Sequence, residues 1–119
     1  MSSKRRLAPF KILSAQSLAG DSASTPSNIQ LTDNVGIQID VTGSPVGTFN
    51  VQVSLDYARD AEGNVTNAGT WATITTQALS AAGNTYININ QCAAPWIRLQ
   101  YVHTSGSGAA DAWITGKML

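Results

Sequence analysis

From Phe49 to Leu55 apolar and polar residues alternate without a break, as Phe49-Asn50-Val51-Gln52-Val53-Ser54-Leu55. Period two places one set of side chains on each face of an extended strand, so such a segment is a strand buried on one side and wetted on the other. The pattern recurs in Val35-Gly36-Ile37-Gln38-Ile39-Asp40-Val41 and in Thr85-Tyr86-Ile87-Asn88-Ile89-Asn90. It returns at Ile97, Leu99 and Tyr101, then at Ala112 and Ile114, with a shorter piece at Ile29-Gln30-Leu31. No window of useful length keeps a helical period. The chain is therefore expected to be all-β, an antiparallel β-sandwich of about seven or eight strands, jelly-roll-like in connection.

Turn chemistry separates these segments. Gly43-Ser44-Pro45-Val46-Gly47 reads as a tight connection, and Asp60 to Gly69 as a long excursion of the kind on which sandwiches carry contacts. The closing stretch, Pro95 to His103, then Thr104-Ser105-Gly106-Ser107-Gly108, then Ala109 to Lys117, reads as a β-hairpin. Residues 1–27 differ from the rest. They carry four of the seven basic residues, a short apolar patch from Leu7 to Leu13 and a polar run from Ala19 to Ser27. That composition predicts an extended N-terminal arm and linker over 1–27, preceding a sandwich domain over 28–119.

Charged residues make up 12% of the chain and the formal net charge is zero, against roughly 25% charged in ordinary soluble domains. A hydrogen-bonding, weakly charged surface suits packing against a large partner or a carbohydrate, not bulk capture of nucleic acid. The basic start resembles a signal peptide, but Lys11 interrupts the apolar run behind it, and no segment approaches the roughly 20 apolar residues of a membrane span. Synthesis in the cytosol, with no membrane partner, is the expectation. The single cysteine, Cys92, rules out an intrachain disulfide and reads as a small, partly buried hydrophobe.

Candidate chemistry is sparse. Asp60-x-Glu62-x-Asn64 spaces oxygen ligands as a calcium loop does, yet lacks the distal bidentate glutamate, so a solvated turn is the better reading. Asp56, Asp60 and Glu62 flank a polar loop, not the apolar pocket that a general acid needs. His103, the lone histidine, has no Gly-x-Ser-x-Gly elbow to serve. No catalytic residue, metal or cofactor is assigned, and the chain is read as a non-enzyme. Three tryptophans stand out instead. Parity puts Trp96 and Arg98 opposite Ile97, Leu99 and Tyr101, and Trp113 opposite Ala112 and Ile114. Trp71, Trp96 and Trp113 are then sugar-stacking platforms or protein anchors, unless the parity is inverted and they close the core. Arg98 is expected to pair with a carboxylate such as Asp111, and Trp96, Arg98 and Trp113 to share one outward face.

The series Phe49 to Asp56, Gly69-Thr70-Trp71, Ala94 to Leu99, Ser105 to Gly108 and Ile114 to Lys117 resembles small structural proteins of tailed bacteriophages, in particular the jelly-roll decoration, or cement, proteins of phage heads. The resemblance spans roughly Thr48 to the C-terminus. It implies a virion protein on the capsid exterior that bridges capsomers, with the major capsid protein and further copies of itself, as a dimer or trimer, for partners. It also implies a terminal arm that engages a neighbour. Here that arm would be Lys4, Arg5, Arg6, Phe10, Lys11, Ile12 and Leu13, the cations meeting an acidic shell and the apolar residues adding as an edge strand. A tail, neck or baseplate component and a carbohydrate-binding module using Trp71 or Trp96 are the alternatives.

Overall fold

The computed structural model describes residues 6–30 and 32–117. Strands β1 (Arg6–Ser17), β4 (Asn34–Gly43), β9 (Gly83–Ile89) and β11 (Gly108–Lys117) form one antiparallel sheet in the order β1-β11-β4-β9. Strands β2 (Ser22–Ala23), β3 (Ser27–Asn28), β5 (Val46–Ser54), β8 (Ala72–Leu79) and β10 (Trp96–Ser105) form the second, in the order β2-β10-β5-β8 with β3 also on β10. A small ribbon of β6 (Ala58–Arg59) and β7 (Val65–Asn67) lies between β5 and β8 in sequence. Taking β2 and β3 as halves of one interrupted strand, each sheet carries four strands, and consecutive long strands switch sheets except β5 and β8, which pair within the second. This is the jelly-roll order, as the alternation predicted.

Parity decides what lies between the sheets. Ile37 and Ile39 of β4 and Ala110, Ala112 and Ile114 of β11 meet Phe49 and Val51 of β5 and Ile97, Leu99 and Tyr101 of β10 in one buried cluster. Each large aliphatic member contributes roughly 1.5–3 kcal/mol by leaving water. Phe49 and Tyr101 stack at 4.9 Å between ring centres. Cys92 packs half-buried against this cluster, as its composition suggested. Leu55 departs from the pattern: β5 ends at Ser54, and Leu55, expected on the inner face, is 79% exposed beyond it.

Two expectations about connectivity are corrected. The first concerns residues 1–27. Arg6–Ser17 is not an arm outside the domain but an edge strand, paired antiparallel with β11 from Arg6↔Lys117 to Ser17↔Ala109, with Leu13 and Leu18 in the core. Ser22, Ala23 and Ser27, expected as linker, pair with β10, as does Asn28. Leu13 and Leu18 are too widely spaced to signal a core by composition, yet each fills a gap at the open side of the sandwich.

The second concerns the closing hairpin. β10 and β11 do not pair; β10 pairs with β5 and β11 with β4, in opposite sheets. The glycine-bearing link is a corner between sheets. It stacks on the other corner, Ser44-Pro45, through the Ser44 N–H donating to the Ser107 carbonyl at 3.0 Å and the Gly43↔Gly108 pairing.

Candidate functional surfaces

On the outer side of the β5–β10 pair, polar side chains form a cross-strand network. The Asn50 and Gln52 amides donate to Gln100 Oε1 at 3.0 and 3.2 Å, and Arg98 Nε donates to Gln52 Oε1 at 2.8 Å. The Arg98 guanidinium lies 4.4 Å over the Trp71 ring. Its partner is thus an amide and an indole, not Asp111, which belongs to the other sheet. Partial burial pushes the Arg98 pKa down, and the stacked, hydrogen-bonded guanidinium stays charged.

Trp71 reaches this place because the excursion after β5 folds back over the sheet. Tyr57, itself buried, packs on Trp71 at 5.6 Å and edge-on to Trp96 at 4.7 Å. Arg59 of β6 caps the group, its guanidinium 5.4 Å from the Tyr57 ring and 5.5 Å from Trp96. Tyr57 and Arg59 were missed in the sequence because they lie past the end of β5, where parity no longer reports a face. A cleft of about 350 Å³ continues from Trp96 and Arg59 across β3 to Phe10, Lys11 and Ile12 of β1. Residues expected on the arm and residues expected on the outer face therefore meet along one edge of the sandwich.

The remaining predicted positions divide. Lys4 and Arg5 lie outside the described residues, as does the Arg6 side chain. Leu13 is 5% exposed and Ile12 packs on the core, so neither is available to a neighbour while β1 is docked. Trp113 is exposed, as parity predicted, but on the outer face of the sheet opposite to Trp96 and Arg98. Those three residues therefore do not share a face. Lys11 pairs with Asp111 at 3.4 Å and stands 5.4 Å over the Trp113 ring. His103, half-buried, places Nε2 3.0 Å from the Gly106 carbonyl oxygen.

Three carboxylates accept backbone N–H groups, two of them in the excursion after β5 and one on β11. Asp56 Oδ1 accepts from the Thr70 N–H at 2.7 Å and the Ser54 hydroxyl at 2.8 Å, closing the root of the excursion. Asp60 Oδ1 accepts from the Asn64 and Glu62 N–H groups at 2.9 and 3.0 Å. Asp111 Oδ1 accepts from the Ala15 N–H at 2.7 Å, across a bulge in β1. These backbone bonds hold all three pKa values below the ordinary 3.8. Since the folded pKa is the lower one, this stability is full above the ordinary value and drains as pH falls through the folded values. The melting temperature is expected to drop as pH falls below about 4. Asp56→Asn, which has no proton to take up, flattens its share of the drop. A melting temperature that holds or rises on acidification contradicts this linkage. Among the described residues no cluster of three His, Cys, Asp or Glu side chains gathers as a metal site requires, and no helix is long and apolar enough to cross a membrane.

No protein-family model matches the chain, and no curated protein matches it in sequence. Solved structures do share its fold. The crystal structure of the SPBc2 prophage-derived protein YomS superposes with a TM-score of 0.58 at 8% identity, over 98% of this chain and 97% of that one. The PBSX exported protein XepA gives 0.56 at 12% identity, over 98% of this chain but 37% of its own. A chain from the structure of the Gx strain of infectious bursal disease virus gives 0.52 at 12% identity, over 98% of this chain and 32% of its own. At these identities the likeness is one of fold.

Proposed function

We propose that this chain is a structural protein of a bacteriophage virion, and within the virion a decoration protein that binds the outside of the head and bridges capsomers. The observation that carries the reading is the jelly roll shared with the SPBc2 prophage-derived protein over nearly the full length of both chains. The viral chain with the same fold supports it. So do the ordered motifs from Thr48 to Lys117 that resemble phage cement proteins, and a composition low in charge.

The docking surface in this reading is Arg59, Trp71, Trp96 and Arg98, backed by the buried Tyr57, together with the cleft beside Phe10. Trp, Tyr and Arg are the residues that dominate protein interfaces, because they bring large area with few rotors and a polar tip. Here they are already packed against one another, so little ordering cost remains on binding. The major capsid protein is the partner, and one small domain touching several capsomers gains by multivalency what no single contact supplies.

Counting copies in purified particles, combined with a density map of the head, tests the reading. Hundreds of copies on the shell, with the Trp96 and Arg98 face inward, are expected. A handful of copies at the tail, neck or baseplate, or none in the particle, overturns the decoration role.

A further inference from the structure

The outer face of the β1-β11-β4-β9 sheet carries a row of side chains that the register places side by side. Lys11 lies opposite Trp113, Trp113 opposite Gln38, and Gln38 opposite Tyr86, one residue from each strand. The backbone positions of the two aromatic residues thus flank Gln38, two strand spacings or about 10 Å apart. Tyr86 is 62% exposed and Trp113 40%. Tyr86 lies down on the sheet because Gly36 has no side chain: a Cβ there would sit 3.0 Å or less from the phenol ring.

On β11, β4 and β9 the neighbours of these residues in the flanking register rows are polar or are Gly36, and Pro9 of β1 stands at the margin. On one side Asp111, Asp40 and Asn84 are aligned across the strands; on the other are Thr115, Gly36 and Asn88. The Gln38 amide is steadied by Asp40, at 3.3 Å. A groove of about 420 Å³ runs along Tyr86, Asn88 and Thr115.

We propose that this face is a binding platform for a neutral oligosaccharide. A pyranose ring has apolar C–H faces and a rim of hydroxyls, so it asks for flat aromatic surface with amides and carboxylates at the margins, which is what the row presents. Two exposed rings on one sheet face suit a short chain of sugars. Protein interfaces place their aromatic anchors within other apolar contacts that shut out water, whereas here the surround is mostly polar, with Pro9 at one margin. Nucleic acid is disfavoured by Asp40 and Asp111, the second of which neutralises Lys11. Trp71 and Trp96 are less open: Arg98 lies 4.4 Å over the first and Tyr57 and Arg59 crowd the second, whereas Lys11 stands farther, 5.4 Å, over the Trp113 ring. Trp113, Gln38 and Tyr86 lie on the opposite side of the sandwich from Trp96 and Arg98, Lys11 borders both the platform and the cleft, and neither proposal requires the other.

The full chain on a printed array of neutral tri- to hexasaccharides of glucose, galactose, rhamnose and N-acetylglucosamine is the test. Binding to at least one of them is expected, weakened at least about tenfold by Trp113→Ala and by Tyr86→Ala and less by Gln38→Ala. Trp96→Ala should bind as the parent does. All four positions lie on outer faces, and melting curves verify that each variant is folded. No binding to any of these sugars overturns the proposal, as does binding confined to anionic glycans. Binding that survives both ring deletions, or that Trp96→Ala abolishes, overturns it equally.

Discussion

Removal of residues 2–13 is expected to unfold the domain or to leave it far less stable, not to release an intact sandwich. The deletion takes away Leu13, 5% exposed in the core, and Ile12, packed against it. A buried leucine truncated to alanine alone costs about 2–5 kcal/mol. The deletion also strips β11 of its partner from Lys117 to Ala112, making a core strand into a bare edge. Against a whole-domain stability of roughly 5–15 kcal/mol, a loss of about 4 kcal/mol or more is a large fraction. At about 4 °C per kcal/mol for a domain of this size, the melting temperature should fall by on the order of 15 °C. Circular dichroism melts of the two forms decide. A truncated form that melts within a few degrees of the parent would show that β1 is a detachable arm.

This expectation reverses what the sequence suggested, and the reason is instructive. β1 carries apolar residues but no steady alternation, because bulges break its register between Leu7 and Phe10, between Lys11 and Leu13, and between Leu13 and Gln16. Each bulge shifts the parity on which strand reading depends. Ala15, at a φ of 46°, marks the last of them, held by the Asp111 carboxylate. Where register is unbroken the sequence was a good guide. The β4–β11 pairing is regular from Asn34↔Lys117 to Gly43↔Gly108, and the inward set Ile37, Ile39, Ala112 and Ile114 followed from alternation alone.

The candidate surfaces were legible to the same degree. Trp96, Arg98 and Trp113 point outward as parity required. Parity says which side of a strand a residue takes, however, and not which sheet the strand joins. Hence the one outward face expected for these residues became two, back to back. Tyr57 and Arg59 lie in a loop where position is set by packing on Trp71 and Trp96, which no local pattern encodes. Tyr86 sat in a clear alternating run beside Asn88, and its partnership with Trp113 appears only when β9 is placed two strands from β11.

The corner between β10 and β11 carries the other large effect. A hairpin turn accepts several residues at its tip, but a corner stacked on a second corner has no spare volume. Gly106 holds a φ of 72°, and a Cβ on it would lie 2.2 Å from the Ser44 carbonyl oxygen, a backbone atom that cannot swing aside. Gly63 has a comparable φ of 88° with nothing within 4 Å of its would-be Cβ. The pair separates two costs. Gly63→Ala is expected to lose only the backbone term, about 1 kcal/mol. Gly106→Ala adds to it the displacement of Ser44-Pro45 and the strain on the Ser44 to Ser107 bond, for a total of about 3 kcal/mol or more. The β4–β5 and β10–β11 corners both pass through this contact, so the damage spreads to both. Urea unfolding of the two variants measures the difference directly, through the shift in midpoint at constant slope. Equal losses would show that the corners part freely and that the left-handed backbone at Gly106 accounts for all of its cost.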